Sequence, residues 1–310
     1  MLKNKNILVT GGAGFIGSHL VDKLLDNNNQ IRVLDNLLKG NKLSKNSKKC
    51  IEFINGDVRD IHTMDKVLKN IDYVFHMAAY LGVDDVAINP IETMEVESIG
   101  TQNLIKCSLK HDVEKIIYIS TSGVYGKVEF ENAVNEDFLV SPSSSYAIAK
   151  RFNEIYLKSI SSKYDIDTFS LRYFNVYGPR QDQRMVIPRF FYQAMRNEPI
   201  TVYGNGDQTR DFTYIDDTVL ATLRVADKCK KNEIFNVARG IDTSIYDLAK
   251  LIIDITNSKS EIKNFEAPFL RFDFDVEKRC GDSSKLKKLT DFSPSTDLIE
   301  GLKLIYNNLI

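Results

Sequence analysis

Hydrophobic positions in this chain come as short bursts followed by helical stripes. Residues 7–10 (Ile-Leu-Val-Thr) form an apolar run, a glycine-dense turn follows, and from Ile16 to Leu25 the apolar residues fall at helical spacing. That order predicts strand, turn, helix. The pattern then recurs, with strands expected at Ile31–Leu34, Ile51–Ile54, Tyr73–Met77, Lys115–Ser120 and Thr168–Arg172, and helices at Ile61–Leu68, Glu95–Leu109 and Tyr146–Tyr164. Runs such as Ile116-Ile117-Tyr118-Ile119 are apolar without alternation, as strands covered on both faces are. The fold class that follows is α/β, a doubly wound parallel sheet with a smaller C-terminal α/β lobe for a substrate.

After about Gly178 the alternation breaks into a helix at Arg189–Arg196, a strand at Ile200–Tyr203 and a loop rich in Gly, Asn and Asp. Residues 1–178 are therefore read as a first domain to which 214–240 return, and 179–213 with 241–310 as the second lobe. A chain of 310 residues, 43% hydrophobic and 27% charged, has enough apolar material for one large core and that lobe. The formal net charge is −1, and no basic run exceeds the short Lys45–Lys49 stretch. That excludes an electrostatic footprint for nucleic acid or an anionic membrane, and leaves small molecules or a second copy as partners. Cys50, Cys107, Cys229 and Cys280 stand far apart without C-x-x-C spacing, which argues against a metal site and fits a reducing, cytoplasmic setting. The polar lead before Ile7 is too short for a signal peptide, and no apolar run approaches a membrane span.

The glycine turn carries the first chemistry. Gly12-x-Gly14-x-x-Gly17, preceded by Gly11, lies between a strand and a helix. There the backbone of Gly11, Gly14, Phe15, Ile16 and Gly17 can approach a pyrophosphate lying against a helix N-terminus. Asp35 closes the second strand 18 residues beyond Gly17, followed by Asn36. A carboxylate there accepts hydrogen bonds from both adenosine ribose hydroxyls and repels a 2′-phosphate, so NAD is expected rather than NADP; a solvated turn aspartate is the competing reading. Asp57-Val58 after the third strand is placed to meet the adenine ring, or is ordinary turn chemistry.

Tyr146 and Lys150 stand four apart on a predicted helix and so share one face. A nearby ammonium favours phenolate, which would make Tyr146 a usable base near neutral pH. Thr121 ends the fifth strand at the carboxyl edge, where its hydroxyl can complete a relay to a substrate oxygen.

Several motifs in order now carry a resemblance. They are Thr10 to Gly17, His76-Met77-Ala78-Ala79, Ser120-Thr121-Ser122 leading to Val124-Tyr125-Gly126, Tyr146-x-x-x-Lys150, and Leu171 to Pro179. Arg210-Asp211-Phe212, Tyr214-Ile215-Asp216-Asp217 and Arg279-x-Gly281-Asp282 add to them. The chain resembles the extended short-chain dehydrogenase/reductase family, in particular its nucleotide-sugar epimerases and dehydratases, over nearly its whole length. The resemblance implies a Rossmann domain holding NAD through the cycle, with Ala78, Ala79, Tyr146, Lys150 and Tyr173 joining the glycine turn in the cofactor set. It also implies a Tyr base aided by Lys and a Ser/Thr, a lobe gripping a nucleotide diphosphate, and a homodimer built on two helices per subunit. Asn175, Arg210 and Arg279 match the diphosphate contacts of that family, with Arg189 and Arg180 as further candidates. Planar arginine donors suit a diphosphate, although Asp211 and Asp282 offer Arg210 and Arg279 local ion-pair partners.

Ser122-Gly123 stands where related 4,6-dehydratases carry Asp-Glu, and Gly123 where related sugar-acid decarboxylases carry Glu. Elimination thus lacks its expected acid and base, and 4-epimerisation of a UDP-hexose type substrate through a transient keto sugar is the expected reaction. Dehydration, decarboxylation or net reduction, and a non-catalytic dinucleotide-binding regulator, are the alternatives. Tyr80 to Val86, with Ser122, are expected in the sugar pocket.

Overall fold

The computed structural model describes residues 2–80, 82–127, 133–266 and 276–310. Its apolar bursts become the strands of a seven-stranded sheet: β1 (Asn6–Thr10), β2 (Gln30–Asp35), β3 (Glu52–Asn55), β4 (Tyr73–His76), β5 (Lys115–Thr121), β6 (Asp167–Tyr173) and, after three strands of the lobe, β10 (Glu233–Val237). Every pairing in it is parallel, in the order β10-β6-β5-β4-β1-β2-β3. The chain fills one half outward from β1 and then crosses to β4 to fill the other. Between β1 and β4 the connections diverge, which opens a crevice at the carboxyl ends of the strands.

Neighbouring residues on these strands enter opposite cores. Val9, Phe75, Ile117 and Phe169 pack on one face, while Leu8, Val74, Ile116 and Tyr118 pack on the other. This is why the strand sequences do not alternate with polar residues. Full burial of each such side chain contributes roughly 1.5–3 kcal/mol. The first face is covered by α1 (Phe15–Leu25) and α9 (Ile215–Lys228), through residues such as Leu20 and Leu223. Covering the second are α3 (Ile61–Val67), α6 (Gly100–Lys110) and α7 (Ser145–Ser161), through Met64, Leu104 and Leu157. A short α2 (Ser47–Cys50) follows β2, and α4 (Val83–Ile88) and α5 (Pro90–Met94) precede α6.

The helix expected over Glu95–Leu109 differs at its start. Residues Glu95–Ile99 form a π-helical turn between α5 and α6. A π turn takes an extra residue per turn and so shifts which side chain faces inward. Glu97, within this turn, is 1% exposed.

The lobe is assembled from β7 (Asn175–Tyr177), β9 (Thr209–Tyr214) and β11 (Asp242–Ser244) in one three-stranded sheet, and from β8 (Ile200–Tyr203) paired with β12 (Ile262–Phe265). Around them lie α8 (Val186–Met195), α10 (Ile245–Thr256), α11 (Ser284–Thr290) and α12 (Leu298–Leu309). The α8 helix begins three residues before the expected Arg189, because Val186 and Ile187 extend its apolar stripe into the core. Phe190, Val202, Leu248 and Leu302 of the lobe share one continuous core with Val9 and Phe169 of the large sheet. The return to the first unit is direct, since α9 covers the sheet and β10 pairs with β6. None of the described helices is long and apolar enough to cross a membrane.

Candidate functional site

The glycine turn is forced by close packing. Gly11 adopts φ +68°, and a Cβ there would meet the Ala78 backbone nitrogen at 2.7 Å; one on Gly17 would lie 2.3 Å from the Gly11 carbonyl oxygen. Backbone of β4, the turn and α1 therefore touch directly, held also by the Ala78 N–H donated to Thr10 Oγ1 at 3.2 Å. Gly14 differs. A Cβ on it would meet only the Gly11 oxygen, at 3.3 Å, and no side chain caps α1 at this end. The turn thus leaves an uncapped eleven-residue helix facing the crevice, a setting that suits a pyrophosphate.

Asp35 completes this cradle. Its two oxygens accept the Ala13 N–H at 3.0 Å and the Leu37 N–H at 2.8 Å, which fixes the carboxylate beside the turn. Burial outweighs these donors and raises its pKa above the usual carboxylate value. Arg32 and Lys39, its basic neighbours in sequence, turn elsewhere, to Glu52 and Asp85. Asp57 is gripped by Arg59 at 2.8 Å and lies 3.5 Å from the Asn36 amide, and the Arg59 hydrogen bond pulls its carboxyl down. Val58 is buried under Gly100, leaving its backbone as the part able to face a ring.

The structure gathers Thr121, Ser122, Tyr146, Tyr173, Asn175, Arg189, Arg210 and Arg279 around one cleft of about 410 Å³. Thr121 Oγ1 accepts the Gly123 N–H at 3.0 Å and starts a tight turn over Ser122–Tyr125, which presents Ser122 and Gly123 beside Tyr146. Ser144 caps α7 through the Ala147 N–H at 3.2 Å, and this sets where Tyr146 leaves the helix. Tyr173 turns its hydroxyl away to Thr222, at 2.6 Å, so only the rest of the residue borders the cleft. Tyr80 is not among the residues lining the cleft; its backbone N–H goes to Glu97 Oε1 at 3.2 Å. Leu81, expected beside it, lies outside the described residues.

Lys150 departs from expectation. Its Nζ lies 5.4 Å from the Tyr146 ring centre, but also 3.0 Å from Glu97 Oε2, with both side chains 1% exposed. The ammonium is therefore matched by a buried carboxylate instead of standing alone beside the phenol. Burial first, and the Glu97 charge second, hold the Tyr146 phenol well above its ordinary value. Burial likewise raises the Glu97 carboxyl, against the pull of Lys150. Asn153 donates to the Glu97 carbonyl at 2.9 Å and to the Tyr118 hydroxyl at 2.9 Å. His76 bridges Thr10 and Thr101, and burial followed by the Lys150 charge lowers it to about 3, so it is neutral. Sequence reasoning missed Glu97, Asn153 and His76 as members of this network. For Glu97 a signal existed, since it shares a helical stripe with Thr101, Leu104 and Ser108, all buried.

At the other end the cleft is cationic. Arg279 is 8% exposed, donates to the Gly126 carbonyl and leaves its Nε without a hydrogen-bond partner. Burial first, then the adjacent Arg210, push its guanidinium down to about 10. The carboxylate of the Arg-Asp-Phe motif is not its partner. Asp211 instead accepts backbone N–H groups of Arg239, Gly240 and Gly281 at 2.9–3.1 Å, joining two loops of the lobe. Arg210 bonds the Thr209 and Val276 carbonyls, and Arg189 lies 5.2 Å from the Tyr203 ring centre. Arg180 lies away from this cluster, paired with Asp22 at 2.8 Å.

Comparison with known proteins agrees with this geometry. The NAD dependent epimerase/dehydratase family matches residues 7–238. A UDP-N-acetyl-alpha-D-glucosaminuronate decarboxylase of Bacillus cytotoxicus is 36% identical, over 96% of each chain. Among solved structures, the UDP-glucose 4-epimerase of Thermotoga maritima with UDP-glucose superposes with TM-score 0.92 at 35% identity, covering 98% of each chain. The UDP-N-acetylglucosamine 4-epimerase of Methanobrevibacter ruminantium M1, in complex with UDP-N-acetylmuramic acid, gives 0.92 at 33%, covering 100% of each. The cofactor is NAD, and the relatives act on nucleotide-linked sugars by more than one reaction.

Proposed function

We propose that this chain, which belongs to the NAD dependent epimerase/dehydratase family, is a 4-epimerase of UDP-hexose type sugars. The observation that carries this reading is the turn after Thr121, where Ser122 and Gly123 reach the cleft beside Tyr146 without a carboxylate. Dehydration requires an acid for the leaving hydroxyl and a base for the neighbouring carbon; epimerisation requires only one group that takes a proton and gives it back. Among the described residues the cleft's carboxylates are Asp84 and Asp85, and Asp85 is held by Lys39 and Arg184.

In this reading Tyr146 Oη takes the proton of the sugar hydroxyl and later returns it, and the Thr121 hydroxyl orients that oxygen. NAD, held by the glycine turn, Asp35 and the backbone around Ala78 and Ala79, supplies the redox chemistry when bound. Asn175, Arg210 and Arg279 grip the diphosphate, with Arg189 beside them, so the sugar can turn at the far end while its anchor stays fixed. Residues 1–178 with 214–240 form the dinucleotide side, except that β7 pairs with β9 and goes with 179–213 and 241–310 on the sugar side. Ile148, Phe152 and Ile155 are exposed along one face of α7, near exposed Ile91 and Ile99, and this apolar face supports pairing of two copies. The four cysteines are free thiols, which suits a cytoplasmic setting.

The test is product analysis. Incubation with UDP-glucose or UDP-N-acetylglucosamine and proton NMR of the hexose should give a mixture of C4 epimers without net NADH formation. A stable keto sugar as sole product would overturn the epimerase reading, and so would CO2 released from UDP-glucuronic acid.

A further inference from the structure

Glu97 stands behind the catalytic pair without touching the cleft. One oxygen accepts the Tyr80 N–H at 3.2 Å, which any amide oxygen could do. The other lies 3.0 Å from Lys150 Nζ and makes no conventional hydrogen bond. Lys150 in turn lies between two phenol rings, 4.7 Å from the centre of Tyr118 and 5.4 Å from that of Tyr146. A buried ion pair gives little net stability over a well-packed apolar pair, so the fold alone does not call for one here. Its electrical consequence is larger. A phenol beside an unmatched ammonium is acidified, whereas beside a neutral pair it feels only the residual field of two opposed charges.

We propose that Glu97 is a positioning residue that claims the charge of Lys150 and thereby keeps Tyr146 protonated at rest. The proposal rests on Tyr146 being the acid–base group of the reaction. Tyr146 then becomes a base only when further positive charge is bound beside it, and otherwise stands ready as the acid that returns a proton.

The groups around Glu97 leave it and Lys150 as the charged members. From β4 comes His76, neutral down to about 3, and from β5 comes Tyr118, whose phenol burial raises well above its ordinary value. Thr101 on α6 and Asn153 on α7 do not titrate, and Tyr80 contributes a backbone N–H. The sign of the effect is therefore fixed. Removing the carboxylate lets Lys150 act on Tyr146 unopposed, so the phenol becomes more acidic.

The experiment follows the ultraviolet tyrosinate band of the full-length chain against pH, with the Tyr146→Phe titration subtracted to isolate this one phenol. Glu97→Gln should form phenolate at a pH where the unaltered protein shows none, a shift of at least about one unit, tenfold in proton concentration. Glu97→Asp, which keeps a carboxylate, should leave the phenol high. Glu97→Asn serves as the neutral variant if glutamine does not fold, with far-ultraviolet circular dichroism as the check. A neutral variant whose Tyr146 titrates as in the unaltered protein, or higher, overturns the proposal. In turnover, Glu97→Gln should move the rising limb of the kcat–pH profile to lower pH with KM unchanged. Because the titration contains no sugar, its failure is separate from failure of the epimerase reading, which Tyr146→Phe turnover and product NMR test.

Discussion

Replacing Arg279 by methionine should make the empty protein more stable and the nucleotide complex weaker. Arg279 is 8% exposed, its Nε has no hydrogen-bond partner, and no carboxylate of the described residues pairs with it. Its fall from 12.5 to about 10 corresponds to about 3 kcal/mol by which folding disfavours the charge at neutral pH. Methionine removes that charge and keeps an apolar stem in the site, at a loss of about 2 kcal/mol for the charged hydrogen bond to the Gly126 carbonyl. A net gain of about 1 kcal/mol should raise Tm by about 2 °C in a chain of this size. The sign holds across neutral pH. The guanidinium is depressed on folding, so the unfolded chain binds more protons only above about pH 10, and only there should the two proteins converge. Without this arginine the diphosphate loses a buried charged donor, and UDP affinity should fall by about 2–5 kcal/mol, roughly 30-fold to several thousand-fold. Calorimetric melting without nucleotide and isothermal titration with UDP read the two effects separately. A variant that melts lower and binds UDP as before would refute the assignment of Arg279 as a cation awaiting an anion.

Three other outcomes are expected. Gly17→Ala places a Cβ 2.3 Å from the Gly11 oxygen and 2.7 Å from the Gly12 Cα, so the turn must open; a loss of about 1–3 kcal/mol in denaturant melts and purification without bound NAD should follow. Tyr146→Phe deletes a single hydroxyl at the cleft and should lower epimer formation by about 10²- to 10⁴-fold while NAD is retained, as read by NMR turnover and cofactor absorbance. Ile155→Asp, at a side chain 55% exposed in the single chain, should leave the melt within about 0.5 kcal/mol of the unaltered protomer but convert dimer to monomer in sedimentation velocity.

The order of strands and helices was legible because their burial is one-dimensional information. Leu8-Val9 and Ile116-Ile117 are apolar pairs that a two-faced sheet splits between two cores, and a run without alternation announces that in advance. The glycine turn was legible for a related reason. Gly11 and Gly17 are fixed by contacts with Ala78 and with one another, at a strand-to-helix junction that the surrounding pattern already marks. Glu97 was not legible as a partner of Lys150. The two stand 53 residues apart in sequence, and a buried place on a helical stripe does not say which cation the carboxylate meets. What Asp211 binds was not legible either. A neighbouring arginine in sequence suggested an ion pair, whereas three backbone donors from 28 to 70 residues away fill the carboxylate's lone pairs.

The two ends of the cleft differ in charge balance, and that difference divides their work. At the Arg279 end the protein holds a cation that burial disfavours, and on the proposed reading a diphosphate bound there is gripped alike in substrate and transition state. Such contacts set KM. At the Tyr146 end Lys150 is matched by Glu97, and on the proposed reading the phenol's protonation changes only during the reaction. Substitutions there should act on kcat and its pH dependence. A substitution at Arg279 that altered the pH profile, or one at Glu97 that altered UDP affinity, would show that the two ends are electrically coupled and that this division fails.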